Sequence, residues 1–394
     1  MDLPRLENAD VEGRTVVVRA DLNVPLQDGQ VGDDFRIRAF LPTLEHLVSK
    51  GCRTVVCSHL GRPKGERRPE LSLAPVAERL SELLGRQVDM TTDSVGPGVA
   101  EAARDLPPGG VLVLENLRFN PGETSNDPGF AGGLASLGDL YVNDAFGASH
   151  RAHASIVGIP ERIPGCAGFL LSEEIDTLSG FLNDPPRPFV VVLGGAKVAD
   201  KLGVVRNLLG RADRILVGGG MCFTFLRAQG HDVGRSLVDE ASLDEVSQVL
   251  AEADGRIMLP TDVVVADSAQ AQDGERVGVD AIPAGSMGLD IGPGSSKRFA
   301  DVVTDAASLF WNGPMGVFEN LAFAMGTRAL AQAVAICEGY TVTGGGDTAA
   351  ALASVGLEAE VDFMSTGGGA SLEFLEGRSL PGIEALMEHG KDRA

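Results

Sequence analysis

Charged and polar side chains recur where apolar runs end in the first half of the sequence. The runs TVVVRADLN at 15–23 and TVVCSHLGR at 54–62 are examples. Guanidinium groups bind carboxylate or phosphate through two parallel hydrogen bonds and stay charged at any relevant pH. A single arginine is more often part of a surface ion pair, but several of them at strand ends indicate a site for a small polyanion. The residues concerned are Asp21, Asn23, Arg36, His59, Arg62, Arg118, His150 and Arg151.

Glycine pairs and triplets take the corresponding positions in the second half. Without a Cβ atom the backbone approaches a ligand closely, and successive N–H groups can bind phosphate oxygens. One such turn is often only a tight connection, but five of them, one followed by Asp347 and Thr348, indicate a nucleotide-phosphate site with a carboxylate for Mg²⁺. Neither GxxxxGK[ST] nor GxGxxG with its acidic partner is present. The glycines are Gly194, Gly195, Gly218, Gly219, Gly220, Gly313, Gly344, Gly345, Gly346, Gly367, Gly368 and Gly369.

Two lysines stand four residues apart in LGGAKVADK, although the chain has only six lysines. If this stretch opens a helix, Lys197 and Lys201 project from one face, at a cost of a few tenths of a kcal/mol. We therefore expect an anion, such as a phosphate group, to bind between the two ammonium groups.

The elements that position these groups form a repeating pattern. Short β-branched runs that do not alternate with polar residues, separated by amphipathic stretches such as LAPVAERLSELLG, indicate parallel sheets covered on both faces. The pattern predicts a doubly wound α/β protein. The predicted strand regions lie at 15–23, 54–62, 111–119, 140–147, 189–197, 214–221, 258–266, 308–316, 340–348 and 363–370.

A domain boundary is indicated by proline-rich segments at 159–168 and 183–188, which flank the helical pattern LLSEEIDTLSGFL. We predict a polyanion-binding domain at 1–170, then a linker helix, a hinge and a nucleotide-binding domain at 171–376. Facing ligands of these two kinds imply phosphoryl transfer, which needs positioning and charge neutralisation more than a covalent nucleophile. A hinge that closes on both ligands would exclude water.

The composition limits the partners. The 394 residues carry a formal net charge of −22, which argues against nucleic acid or a lipid surface as the partner. The five scattered cysteines predict buried free thiols in a reducing cytoplasm, because no CxxC metal pattern is present. The start has no apolar signal-peptide core, and no run reaches the roughly 20 apolar residues of a membrane span. We expect a cytoplasmic protein.

Eleven stretches together resemble phosphoglycerate kinases over essentially the whole chain, in the order found in that family. These stretches are VRADLNVPL (18–26), FRIRAFLPT (35–43), SHLGRPKG (58–65), ENLRF (115–119), VNDAFGASHRAHAS (142–155), LGGAKVADK (193–201), GGGMCFTFL (218–226), MGLDIGP (287–293), WNGPMGVFE (311–319), GGGDTAA (344–350) and STGGGASLEFLEG (365–377). The resemblance implies two doubly wound, Rossmann-like parallel-sheet domains, and a monomer. It implies reversible phosphoryl transfer from 1,3-bisphosphoglycerate to ADP, giving 3-phosphoglycerate and MgATP. The residues at 377–394 are expected to return to the first domain.

The resemblance also implies roles for single residues at matching positions. Arg36, Lys197, Lys201 and Gly368 are implied as catalytic, and Asp347 as the ligand of Mg²⁺. The 3-phosphoglycerate ligands would be Asp21, Asn23, Arg36, His59, Arg62, Arg118 and Arg151. The nucleotide ligands would be Gly195, Lys197, Lys201, Gly218, Gly219, Gly288, Leu289, Asn312, Pro314, Glu319, Gly345, Gly346, Asp347 and Thr348.

A few positions depart from the family pattern. Gly294 stands where the family usually has glutamate, Phe363 where histidine is common, and ASH at 148–150 replaces TAH. None of these changes removes an implied ligand, so they bear on packing and hinge closure rather than on the reaction. Two alternatives stay open: an acyl-phosphate or sugar kinase with another acceptor, and a nucleotide sensor without turnover.

Overall fold

The computed structural model describes residues 3–389, which form two compact units. One unit contains residues 3–177 and 379–389, and the other contains residues 178–378. The division falls within the helix that the sequence places wholly in the second domain. Residues 390–394 of the predicted tail lie outside the described residues.

Six parallel strands form the main sheet of the first unit, in the order β5-β6-β4-β1-β7-β8. Val17 at the centre pairs with Val55 on one side and Tyr141 on the other. The carboxyl ends of these strands therefore share one edge, which carries the predicted polyanion site. The strands described in this unit, including the short hairpin β2-β3, are β1 (Thr15–Ala20), β2 (Leu26–Gln27), β3 (Gln30–Val31), β4 (Arg53–Cys57), β5 (Asp89–Met90), β6 (Val111–Val113), β7 (Leu140–Asp144) and β8 (Gly165–Ala167).

Helices cover this sheet, and its apolar core lies beneath them. The β-branched residues of β1 pack with Ile37, Phe40 and Leu44, which recur at helical spacing on the first helix. The last described helix also packs on this unit, because Gly382 donates its N–H to the Ser149 carbonyl at 2.9 Å. The helices are α1 (Phe35–Ser49), α2 (Ala74–Leu84), α3 (Pro97–Asp105), α4 (Pro121–Thr124), α5 (Pro128–Ala135), α6 (Phe169–Asn183) and, at the end of the chain, α14 (Pro381–His389).

The second unit repeats the architecture with six parallel strands in the order β11-β10-β9-β15-β16-β17. Trp311 is fully buried at its centre. The strands are β9 (Phe189–Leu193), β10 (Arg214–Val217), β11 (Ile257–Met258), β12 (Asp262–Ala266), β13 (Glu275–Gly278), β14 (Met287–Ile291), β15 (Ser308–Asn312), β16 (Tyr340–Gly344) and β17 (Phe363–Ser365). The helices are α7 (Leu202–Leu208), α8 (Cys222–Ala228), α9 (Leu243–Glu252), α10 (Pro293–Thr304), α11 (Met325–Ala335), α12 (Gly346–Ala353) and α13 (Gly369–Leu375).

One predicted strand region is divided in the structure, and its main part does not join the parallel sheet. The run at 258–266 divides at Pro260, which has no N–H for a sheet ladder. Met258 ends β11, whereas β12 begins at Asp262 and pairs antiparallel with β13 and β14 in a separate three-stranded sheet. The continuous VVV pattern identified a buried strand but could not show whether its partners run parallel or antiparallel.

The segment predicted as the linker helix forms α6, and hydrogen bonds attach the start of this helix to the first unit. Phe169 donates its N–H to Thr43 Oγ1 at 3.0 Å, and Leu171 donates to Asp144 Oδ1 at 3.1 Å. Thr43 lies on α1, the helix that also carries Arg36. Burial raises the pKa of Asp144 to about 7, although hydrogen bonds from Leu171 and Thr43 oppose the shift.

The raised pKa of Asp144 predicts a pH-dependent stability. The carboxyl group binds a proton more tightly in the folded protein than at its ordinary pKa of 3.8, so its contribution is full below that pH and is lost as pH rises through about 7. Asp144→Asn removes this titration. We expect the free energy of unfolding of the variant, relative to wild type, to increase by a few kcal/mol between about pH 5 and about pH 8. Urea unfolding at both pH values measures it, and parallel curves for both proteins would contradict it. Asp305→Asn, at an exposed position, is the control.

Candidate active site

Asp21 and Arg36 form an ion pair at the carboxyl edge of the first sheet. Asp21 directly follows β1 and is buried, and its Oδ2 accepts a hydrogen bond from Arg36 Nη1 at 2.5 Å. Arg36 extends from the first turn of α1, which starts beyond the β2-β3 hairpin. The pair holds a guanidinium group at this edge of the sheet.

Asn23 and Arg118 are joined through one backbone segment. Asn23 Oδ1 accepts the Gly61 N–H at 2.8 Å, and Arg118 Nη1 donates to the Gly61 carbonyl at 2.8 Å. Burial, together with the neighbouring guanidinium groups of Arg19 and Arg151, lowers the pKa of Arg118 to about 10. The positions predicted from separate strand ends therefore converge on one positively charged patch.

His59 follows β4 and is buried beside two charged groups. Its Nδ1 lies 3.0 Å from Arg19 Nη2 and 3.8 Å from Asp21 Oδ1. Burial lowers the pKa of His59 well below its ordinary value, and the guanidinium groups of Arg19, Arg118 and Arg36 act in the same direction. The imidazole is therefore neutral at physiological pH.

The remaining predicted groups of this edge are more exposed. Arg62 is exposed, and Arg151 Nε lies 3.0 Å from His150 Nε2. The pKa effect of Arg151 on Arg118 puts their guanidinium groups within electrostatic range of each other. An anion at this edge would thus meet Arg118, Arg151 and Arg36 around a shared region.

Sequence reasoning missed a buried layer beneath this patch. Arg19 is fully buried in β1 and donates through Nε to Ser155 Oγ at 2.9 Å. Ser155 Oγ donates to Glu123 Oε1 at 2.6 Å, and Glu123 Oε2 accepts the Ser155 N–H at 3.0 Å. The available signal was the arginine inside VVVRA, because a charged residue is almost never fully buried without a partner.

The helix considered for Lys197 and Lys201 does not include these two residues. The segment after β9 is a loop with turns, Lys201 precedes the first helical residue, and α7 begins at Leu202. Lys197 is exposed, whereas Lys201 Nζ donates to the carbonyl oxygens of Gly194 at 2.6 Å and Asn312 at 3.0 Å. The Lys201 ammonium group is thus held by carbonyl oxygens at the ends of two strands, β9 and β15.

Two predicted nucleotide ligands, Thr348 and Asn312, form side-chain hydrogen bonds within the protein. Thr348 Oγ1 accepts the Gly313 N–H at 2.7 Å and donates to the Gly344 carbonyl at 2.8 Å. Asn312 Nδ2 donates to the same carbonyl at 2.7 Å. These side chains join the ends of β15 and β16, so any contact of Thr348 with phosphate would use its backbone.

Glycine is required at Gly313. Its φ of 94° is in the left-handed region, and a Cβ atom there would lie 2.5 Å from Lys201 Nζ. Asp347 lies in the first turn of α12, after Gly345, and its charge raises the pKa of Lys201. The Lys201 ammonium and the Asp347 carboxyl group therefore lie near each other at the strand ends.

The other predicted nucleotide positions lie on loops of the same unit. Gly195 donates its N–H to the Pro314 carbonyl at 2.8 Å, and Gly219 donates to the Met315 carbonyl at 3.1 Å. A Cβ atom on Gly288 would lie 1.8 Å from the Phe223 ring, so this glycine is explained by packing. The further predicted positions are a buried Gly218, a buried Leu289, an exposed Glu319 and Gly346 at the first position of α12.

Gly368 lies just before α13, with φ 55° and ψ −113°. This conformation is one that side-chain-bearing residues avoid. Together with Gly345 and Gly313, it places flexible-backbone residues at the ends of three neighbouring strands. No cluster of three or more potential metal-binding side chains occurs among the described residues 3–389.

Two parallel-sheet α/β units with these groups at their strand ends are typical of an α/β phosphotransferase. The model of the phosphoglycerate kinase family matches residues 6–378. Phosphoglycerate kinase of Salinispora tropica is 55% identical over 385 residues, covering 96% of each chain. That of Moorella thermoacetica is 53% identical over 387 residues, covering 97% of this chain and 98% of the relative.

The solved structures agree with the sequence comparison. Phosphoglycerate kinase from Coxiella burnetii superimposes with a TM-score of 0.88 at 40% identity, covering 99% of this chain and 100% of that chain. The chain belongs to the phosphoglycerate kinase family. The fold class predicted from the sequence is confirmed. The predicted enzyme class, a kinase that transfers a phosphoryl group to a carboxyl group, is confirmed as well.

The surroundings of Lys201 predict a titration near neutrality. Burial lowers the pKa of its ammonium group to about 8, and the nearby carboxyl groups of Asp347 and Asp200 only partly compensate. In protein labelled with ¹³C at lysine Cε, we expect one of the six lysine resonances to titrate near pH 8. Lys201→Arg should remove that resonance, whereas Lys297→Arg, at an exposed ion pair, should not. Titration of every lysine near the ordinary value of 10.5 would contradict the prediction.

Proposed function

We propose that this chain catalyses reversible phosphoryl transfer from 1,3-bisphosphoglycerate to ADP, giving 3-phosphoglycerate and ATP, and that its two units divide the task. The observation that carries the proposal is the family match over residues 6–378, combined with the charged residues that the family pattern requires at matching positions, which are Asp21, Arg36, Arg62, Arg118, Arg151, Lys197, Lys201, Glu319 and Asp347. Chemistry of this kind depends on positioning and electrostatic stabilisation, with no covalent intermediate on the protein.

The first unit binds the glycerate ligand in this proposal. Arginine forks match carboxylate and phosphate oxygens, while Asp21 and Asn23 bind hydroxyl or polar groups. Support comes from the convergence of Arg36, Arg118 and Arg151 on one edge of the sheet. The proposed ligands are Asp21, Asn23, Arg36, His59, Arg62, Arg118 and Arg151.

The second unit binds ADP or ATP. Lys201 contributes a charged donor at the ends of β9 and β15, and Lys197 is an exposed cation four residues away. Glu319 binds the ribose, and loop residues border the adenine. The proposed ligands are Gly195, Lys197, Lys201, Gly218, Gly219, Gly288, Leu289, Asn312, Pro314, Glu319, Gly345, Gly346, Asp347 and Thr348, with Asn312 and Thr348 acting through the backbone that they hold.

Mg²⁺ fits beside Asp347. This ion is usually held by one or two carboxylates together with substrate phosphates and water, rather than by a cage of protein ligands. Asp347 in the first turn of α12, with no larger acidic cluster among residues 3–389, matches that pattern. When bound, Mg²⁺ neutralises charge on the nucleotide phosphates.

Arg36, Lys197, Lys201 and the backbone of Gly368 stabilise the transferring group. Each cation offsets negative charge that spreads over the equatorial oxygens of the phosphoryl group. Because the two ligands bind on different units, the reaction requires a hinge movement that brings them together and excludes water. We further propose that the protein acts as a cytoplasmic monomer, without nucleic-acid or membrane partners. Among residues 3–389, the helices are too short or too polar to cross a bilayer.

Arg36→Ala tests the proposed charge stabilisation. We expect the turnover number with 3-phosphoglycerate and MgATP to fall by roughly 10³-fold, the effect typical of an arginine that stabilises transferring charge. A coupled assay measures it. Arg38→Ala is the matched control, because Arg38 lies on the same helix but is exposed and paired with Asp34. Near-normal turnover of a folded Arg36→Ala protein would exclude the role, and an inactive wild type would favour a nucleotide sensor.

Lys201→Met separates the two ligands. Loss of a charge-assisted hydrogen bond should weaken ADP binding by roughly 10-fold or more. Calorimetry should show unchanged 3-phosphoglycerate binding, since that ligand is assigned to the other unit. Lys297→Met is the control at an exposed lysine paired with Asp301. Weakened 3-phosphoglycerate binding with unchanged ADP binding would show that the assignment of Lys201 to the nucleotide is wrong.

A further inference from the structure

The hydrogen bond between Arg19 and His59 determines where the imidazole carries its proton. Arg19 Nη2 lies 3.0 Å from His59 Nδ1. A guanidinium group has five N–H donors and no acceptor, so Nδ1 must be the acceptor in this contact. An imidazole whose Nδ1 accepts a hydrogen bond carries its single proton on Nε2.

The buried network below prevents Arg19 from turning away. Its Nε donates to Ser155 Oγ at 2.9 Å, and its Nη1 donates to the Ala20 carbonyl. Since Arg19 can only donate, the Ser155 hydroxyl must direct its own hydrogen to Glu123 Oε1, at 2.6 Å. Each hydrogen bond in this network therefore has only one possible donor. At the end of the network, Arg19 donates to His59 Nδ1.

The charges around the ring oppose a second proton. Arg19 on β1, Arg36 on α1 and Arg118 beyond β6 all lower the pKa of His59, as does His153, and burial lowers it most. The acidic neighbour, Asp21, has its Oδ1 3.8 Å from Nδ1, which is too far for a hydrogen bond, and its Oδ2 binds Arg36. Burial and the surrounding positive charges therefore both favour the neutral imidazole of His59.

We propose that Arg19 is a positioning residue that fixes His59 as the neutral tautomer protonated on Nε2, so that His59 offers a donor and not a base to the glycerate ligand. The ligand's identity rests on the proposed function, but the tautomer does not. His59 would thereby favour ligands with a carboxylate, phosphate or hydroxyl oxygen at that position. It would not remove a proton during the reaction.

NMR of the free wild-type protein tests the tautomer directly. In a sample labelled with ¹⁵N-histidine, six imidazoles are present, and His59→Asn identifies the resonances of His59. We expect the Nδ1 chemical shift of an unprotonated nitrogen and the Nε2 shift of a protonated one. The pattern should stay constant through the ordinary histidine pKa of 6.5. A proton on Nδ1, or an imidazolium at neutral pH, would overturn the proposal whatever the protein binds.

Substitution of Arg19 tests whether this residue causes the tautomer of His59. In Arg19→Met we expect the His59 proton to move to Nδ1, facing Asp21, or the ring to become protonated. The KM for 3-phosphoglycerate should rise roughly 10-fold or more, the size of a lost hydrogen bond to a charged ligand, while the KM for MgATP stays constant. Arg19→Lys keeps a charged donor and should restore the Nε2–H tautomer in part.

Matched measurements distinguish this role from a purely structural one. Arg104→Met, at an exposed position on α3, should change neither the NMR pattern nor KM. A folded Arg19→Met protein that keeps the wild-type tautomer would overturn the proposal. If that variant does not fold, the wild-type spectrum and Arg19→Lys still decide the question. The expected tautomer without any 3-phosphoglycerate binding would leave the positioning role intact and refute the proposed function.

Discussion

The first site depends on buried acids that hold like charges together before any ligand binds. Two unit charges 4 Å apart repel by roughly 4 kcal/mol at an effective dielectric constant near 20. Asp21 binds Arg36 at 2.5 Å, and Glu123 reaches Arg19 through Ser155. These buried partners fix the positions of the two guanidinium groups. The electrostatic repulsion between the cations is therefore offset during folding and not during ligand binding, so the site is preorganised.

In the second site, backbone atoms fix the position of the cation. Carbonyl oxygens of Gly194 and Asn312 hold the Lys201 ammonium, and the surrounding loops are joined by N–H to carbonyl bonds such as Gly195 to Pro314. Thr348 and Asn312 reinforce the ends of two strands. In a chain with net charge −22, this arrangement fixes a local cation at the ends of β9 and β15. Burial of that cation also brings its pKa to about 8, where the ordinary lysine would be fully charged.

The buried thiols of Cys57 and Cys166 are not suited to nucleophilic attack. Burial raises the pKa of the Cys57 and Cys166 thiols to about 12, so both remain protonated. All five cysteines are free, as the scattered positions predicted, and four of them are buried. His59 is neutral, with its Nδ1 already bonded to Arg19. What the described groups can supply is charge and orientation, which phosphoryl transfer requires.

Local sequence was sufficient to predict the class of fold, the linker helix and the strand ends that carry the sites. Apolar periodicity and glycine or proline turns depend on neighbours in the chain, so they can be recognised without tertiary contacts. The same logic failed at 258–266, where Pro260 divides the run and distant partners set an antiparallel sheet.

The residue roles depended more on the tertiary structure. Sequence named Asp21, Arg36 and Lys201, but it could not show that carbonyl oxygens at the ends of two strands hold Lys201 in a loop before α7. It missed Arg19, Ser155 and Glu123, which stand far apart in the chain and meet only because β1, α4 and the segment after β7 fold together. The sequence by itself determined which chemical groups are present and at which strand ends they lie. Only the tertiary structure decided their hydrogen-bond partners, burial and protonation, because those depend on distances between residues that the chain does not place side by side.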